Sequence, residues 1–171
     1  MSEPLTLYRL IILFMLNKVD FPLTNTQITN FILENDYTDY FTVQQTFSDL
    51  ADSGLITAES THNNTRYHIT AEGQQVLKFF SGKISEAIKD DIITYLRNNK
   101  WNLKNETSIF ADYYRTTDSA YAVRCQMKDG EKSLIDLTLT VSSKEQASAV
   151  CKNWQEQNDR IYSLLMDELI K

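Results

Sequence analysis

Within this 171-residue chain, the side chains best placed for chemistry are hydrogen-bonding ones. Thr42, Gln44, Gln45 and Ser48 fall in the first turns of one amphipathic segment, 42–53. A glutamine amide can grip an adenine edge with two hydrogen bonds, and a serine or threonine hydroxyl can bond either edge of a base pair. Further on, Asn63, Asn64 and Arg66 cluster around a turn, where Arg66 carries the charge for a phosphate or minor-groove contact. Side chains of these types can hydrogen-bond to a base edge or a phosphate.

Catalytic groupings are not expected. His62 lies in a turn and His68 on the polar phase of a strand, with no cysteine or carboxylate at ligand spacing, so no metal site is expected. Asp90 and Asp91 are adjacent, and neighbours on a helix point about 100° apart, which keeps their carboxylates from converging. Cys125 falls on the apolar phase of a strand and Cys151 in a helix stripe, as small core residues do. The chain has 4 glycines and no G-x-G-x-x-G. Its Gly82-Lys83 pair is followed by Ile84 and lacks the earlier glycine of a P-loop, so no nucleotide cofactor and no enzymatic activity are expected. The run 97–104, with Arg97, Lys100, Lys104 and Trp101, has the types that bind phosphate and stack a base. More often such a run is a helix end whose tryptophan anchors the next element. Arg124, Gln126 and Lys128 share a polar strand face that could line an effector pocket or a dimer contact.

With 17 basic and 23 acidic residues the chain is acidic, with pI about 4.9, which opposes any general affinity for nucleic acid or anionic lipid. Cys125 and Cys151 are too far apart for a C-x-x-C motif and, with no secretory leader, read as reduced thiols of a cytoplasmic protein. The apolar run Leu10 to Leu16 ends at Asn17-Lys18, short of the ~20 residues that span a bilayer. It is expected as a buried helix, with no membrane association. The sequons at Asn63 and Asn105 then carry no meaning for glycosylation.

Around the candidate contacts, the first 82 residues fall into a clear order. Segment 5–18 is an almost wholly apolar helix, broken by Pro22. Thr24-Asn25-Thr26-Gln27 fits a capping box opening a helix with Ile28, Phe31 and Ile32 on one face. Thr42-Val43-Gln44-Gln45 fits a second, opening helix 42–53 with its stripe Val43, Phe47 and Leu50; Gly54 ends it. A hairpin follows, entering at Leu55-Ile56, turning at His62-Asn63-Asn64 and returning over Thr65–Ile69. Thr70 caps helix 71–80.

Leu50-x-x-x-Gly54-Leu55-Ile56, the hairpin, and Tyr67-His68-Ile69-Thr70-x-x-Gly73 together resemble the recognition-helix exit and post-wing signature of bacterial winged-helix regulators of the MarR and PadR kind. The whole chain is similar to an uncharacterised Firmicutes family with a winged helix and a C-terminal α/β extension. The signature covers roughly residues 5–80. It implies a dimeric transcriptional regulator whose helix 42–53 enters the major groove while the wing brings Asn63, Asn64 and Arg66.

Charge supplies an alternative. Residues 1–82 hold four basic groups (Arg9, Lys18, Arg66, Lys78) against nine acidic ones. Helix 42–53 has no lysine or arginine, and Gln45, Asp49 and Asp52 line one face. Carboxylates repel a phosphate backbone, whose neutralisation dominates DNA affinity. The fold could instead dock a protein partner through this face, without DNA. In a homodimer, basic groups of the second half would supply the missing charge.

That second half is expected over 83–171, with Gly82 as the joint. Helix 84–97 carries the stripe Ile84, Ala87, Ile88, Ile92, Tyr95 and Leu96, which packs on the second domain or pairs with its copy. Strands follow at 107–115, rich in Ile, Phe and Tyr, and at 121–127 and 133–141, which alternate with period two and are joined by a hairpin turn at Asp129-Gly130. Ser142-Ser143 caps a helix running to the chain end with a break near Gln157-Asn158. The expected fold is therefore α+β: an N-terminal winged helix-turn-helix, then a three-stranded antiparallel meander backed by helices, serving dimerisation or effector sensing.

Overall fold

The computed structural model describes residues 3–62, 64–130 and 132–171, without the side chains of 3–4, 101 and 105–107. It is mixed α+β, with two three-stranded antiparallel sheets. In chain order the elements are α1 (Glu3–Asn17), β1 (Leu23–Thr24), α2 (Asn25–Glu34), α3 (Tyr40–Asp52), β2 (Ile56–Ser60), β3 (Thr65–Ile69) and α4 (Ala71–Phe80). A short 3-10 turn, Ser81–Lys83, leads to α5 (Glu86–Ser108), β4 (Ile109–Arg115), β5 (Tyr121–Asp129), β6 (Lys132–Val141) and α6 (Lys144–Leu169).

Two compact units result: Met1–Ser60 with Asn64–Thr107, and Thr61–Asn63 with Ser108–Lys171. The division expected at Gly82 therefore lies after α5 instead. The reason is burial, since Ile84, Ile92, Leu96 and Leu103 all belong to the first core. The same pull carries α5 past residue 97, where its apolar pattern thins, because Leu103 still has a core to reach.

In the first unit α1 is covered on most faces. Leu10 through Leu16 are all buried, against α3, β3 and α4. The small sheet has the order β1-β3-β2, with Leu23 opposite Tyr67 and Glu59 opposite Arg66. The Thr24 capping box forms: its hydroxyl accepts from the Gln27 N–H, and the Gln27 side chain accepts from the Thr24 N–H. Gln27 Nε2 also donates to the Leu103 carbonyl at 3.3 Å, so one residue both caps α2 and fastens α5. The second expected box does not form. Asp39 is the N-cap of α3, its carboxylate accepting from the Thr42 N–H at 2.8 Å. An ionised acceptor at the positive end of the helix replaces the neutral Thr42 hydroxyl and starts α3 before residue 42.

Gly54 leaves α3 with φ +73°, and a Cβ on Gly73 would stand 2.2 Å from the Leu55 carbonyl oxygen. The start of α4 therefore presses directly against the chain leaving α3.

In the second unit the strands form a meander in the order β4-β5-β6, turned at Gly130 with φ +62°. One face carries Ala111, Val123, Cys125 and Met127 against Ala147, Cys151 and Trp154 of α6. The Trp154 Nε1–H donates to the Gln126 carbonyl at 3.0 Å. A single helix backs this sheet within the unit, since α5 belongs elsewhere. The expected break near Asn158 is absent: α6 is continuous, and the Asn158 amide donates to the carbonyls of Trp154 and Gln155. No described helix is long and apolar enough to cross a membrane.

Candidate nucleic-acid interface

The residues singled out from the sequence separate into structural and exposed groups. Gln44 is half-buried; its Oε1 accepts from Asn25 Nδ2 at 2.7 Å and its Nε2 donates to Thr29 Oγ1 at 3.1 Å. It braces α3 against α2, and its amide is occupied. Thr42 is half-buried, with its backbone N–H held by Asp39 and its carbonyl accepting the Thr46 hydroxyl at 2.6 Å. Asn64 donates to the Thr26 hydroxyl at 3.1 Å and accepts from the Thr65 N–H, tying the hairpin to α2. Asn63 lies outside the described residues.

Arg66 does not present itself to solvent. It is 5% exposed, and its guanidinium lies 3.0 Å from the Glu59 carboxylate. Burial pulls its pKa down, while Glu59 pulls it back up. β3 is the middle strand of its sheet, and on its polar phase Arg66 is buried while His68, two residues on, stays exposed. The phosphate contact expected of Arg66 is corrected accordingly: a guanidinium held inside the fold has no surface to offer.

Gln45 and Ser48 remain exposed on α3, with Gln45 Nε2 donating to Asp49 at 3.0 Å. Asp49 is itself taken by Arg9 of α1 at 2.9 Å. That hydrogen bond, then the one from Gln45, holds its carboxyl below the usual aspartate range. Of the two carboxylates on this face, one is thus neutralised within the fold.

Two aromatic residues were not anticipated. Phe41 is 81% and Tyr40 52% exposed, their rings edge to face at 5.8 Å. Once α3 begins at Tyr40, Phe41 shares a face with Gln45, Ser48 and Asp52 by the i, i+4, i+7, i+11 rule. The signal was available in the sequence, hidden by the misplaced helix start. The Arg9 pairing with Asp49 had no local signal at all.

Other candidates have local partners. His62 pairs through Nδ1 with Asp112, and its ring stacks on Tyr113 at 3.9 Å. Asp91 accepts the Tyr37 hydroxyl at 2.7 Å, and burial together with this bond pushes the phenol pKa up. Arg124 makes a two-pronged contact with Asp136, at 2.9 and 2.7 Å, so the polar sheet face is largely self-paired. Both cysteines are buried; burial and then Cys151 push the Cys125 thiol up to about 11. Among the described residues no group of three histidine, cysteine or acidic side chains could hold a metal ion.

A family model described as a domain of unknown function, DUF4364, matches residues 8–169. The chain belongs to this family. No curated protein and no solved structure matches it. The DUF4364 match runs from α1 to the last turn of α6, so both compact units fall inside one family domain.

Proposed function

We propose that the chain is a winged-helix regulator of transcription in the cytoplasm, binding double-stranded DNA as a homodimer. The order α1-β1-α2-α3-β2-β3-α4, with an antiparallel β1-β3-β2 sheet, supports a winged helix in which α3 is the recognition helix. The observation that carries the DNA reading is the outer face of α3, where Gln45 and Ser48 are exposed while Gln44 is committed to the scaffold. Gln45 and Ser48 have the hydrogen-bonding capacity for base edges, and Phe41 can pack on a thymine methyl. Arg9 offsets one carboxylate at that surface. The second unit serves dimerisation or effector sensing.

The test is selection of genomic DNA fragments by the purified chain at low salt. A set of related fragments should be enriched, and Gln45→Ala with Ser48→Ala should change which ones. No enrichment of any fragment at low salt overturns the reading.

A second reading rests on one specific feature. Described α3 carries no cation of its own; its start offers Phe41 and Tyr40 to solvent, and Asp52 is exposed at its far end. Exposed aromatics of this kind are enriched in protein interfaces. A protein partner lost on Phe41→Ala or Asp52→Lys, with no DNA retained, would favour docking.

A further inference from the structure

A groove of about 480 Å³ lies within the first unit, between the turn that follows α1 and the outer face of α5. Ile93, Leu96, Arg97 and Lys100 line it from α5, at spacings that place them along one side of the helix. Lys18 and Val19 line it from the turn, together with one carboxylate, Asp20. Leu96 is buried beneath, while Ile93 remains 39% exposed, so the groove has an apolar floor that is partly uncovered.

The cations are what make this groove unusual in a chain of net charge −6. Several other described basic groups are paired, Arg9 with Asp49, Arg66 with Glu59 and Arg124 with Asp136. Arg97 and Lys100 instead converge on a concave wall, and neither makes a hydrogen bond or ion pair among the described residues. Lys18 approaches from the opposite side, its ammonium 5.1 Å from the Phe14 ring. Three cations against one carboxylate favour an anion, and the apolar floor favours one with a hydrocarbon body. Small-molecule pockets run to roughly 300–1,000 Å³ and combine these same two features. A duplex phosphate track would need the charge but would gain nothing from Ile93 and Leu96.

We propose that this groove binds a small organic acid, with its carboxylate on Arg97 and Lys100 and its apolar body on Ile93, Leu96 and Val19. Arg97 supplies the planar fork that matches a carboxylate, and Lys100 supplies a second charge one turn on. The proposal goes beyond the DNA reading and does not rest on it.

The experiment is an amide chemical-shift titration of the full chain with benzoate, hexanoate, benzyl alcohol and inorganic phosphate, in the absence of DNA. Benzoate or hexanoate should shift residues 17–20 and 93–100 saturably at millimolar concentration, with benzyl alcohol and phosphate leaving them in place. The double variant Arg97→Gln with Lys100→Gln should weaken the acid about tenfold at unchanged melting temperature, since both side chains are exposed. Ile93→Ser should weaken it without altering charge. No saturable shift with either acid overturns the proposal. So does an equal response to inorganic phosphate, or binding that the double variant leaves intact. Because DNA is not present, failure here leaves the outcome of fragment selection unaffected.

Discussion

Glu59 and Arg66 stand opposite each other in the β2–β3 register, with the arginine Nη2 3.0 Å from a Glu59 carboxylate oxygen. Arg66 is buried and Glu59 exposed, so the pair joins the inside of the small sheet to its surface. Arg66→Ala should therefore lower stability by about 1–3 kcal/mol through lost packing and an unpaired site. Arg66→Met, which keeps the apolar stem, should recover part of the loss. Urea unfolding of both variants checks this; an Arg66→Ala midpoint equal to that of the parent would contradict it.

Gly73 has no room for a side chain, whereas Gly82 meets nothing within 4 Å and has no positive φ. Gly73→Ala is expected to cost about 3 kcal/mol, because the obstacle is the Leu55 backbone carbonyl, which cannot rotate away. Gly82→Ala should fall within about 0.5 kcal/mol of the parent. Differential scanning calorimetry of the two variants side by side separates a required glycine from a permitted one.

Adjacent glutamines should behave differently. Gln44→Ala removes the bridge to Asn25 and Thr29 and should destabilise by about 1 kcal/mol. Gln45→Ala, at an exposed position, should leave the melting temperature nearly unchanged while altering any fragment preference. A Gln44→Ala variant with parental stability would show that the brace is dispensable.

The acid limb of stability can be assigned a sign. Arg9, then Gln45, depress the Asp49 carboxyl, and Arg124 does the same for Asp136. A carboxyl held low in the folded chain stabilises it above the ordinary aspartate value, and that contribution is lost as pH falls through the folded value. Asp49→Asn should therefore lower the melting temperature near neutral pH, and the gap from the parent should narrow as the pH falls through the folded value of Asp49. A gap that persists unchanged at low pH would mean the pairing with Arg9 contributes nothing ionic.

Both thiols should be inert in the folded state. Burial raises the pKa of Cys125 and Cys151, so the reactive thiolate is scarce at neutral pH. Iodoacetamide should label neither quickly in buffer and both in denaturant. Fast labelling in buffer would show that the second core opens.

Much of the fold was legible because it depends on short-range patterns. The Thr24 and Thr70 caps, the Gly54 and Gly130 turns and the period-two strands each state their role within a few residues. What was misread depends on partners distant in sequence. Asp39 and Thr42 both offer a plausible cap for α3, and choosing wrongly hid Phe41 from the exposed face. Beyond residue 97 α5 has too few apolar residues to advertise a helix, yet Leu103 and the bond from Gln27 hold it in place. Arg66 looked like surface because it shares the polar phase of β3 with His68, which does stay exposed. At Gln157-Asn158 there is neither proline nor glycine, so polarity alone gave no physical cause for a break. For the candidate interface, Gln45 and Ser48 kept the exposure expected of them, and the scaffold absorbed Gln44, Asn64 and Arg66.

The seven consecutive buried residues of α1 have a consequence for synthesis. Their covering comes from α3, β3 and α4, all made later. On the ribosome, at ~5–20 residues per second, a helix apolar on nearly every side waits several seconds for the chain that will enclose it. During that interval it is a ready client for chaperones. Pausing translation before α4 is complete should make the nascent chain prone to aggregation.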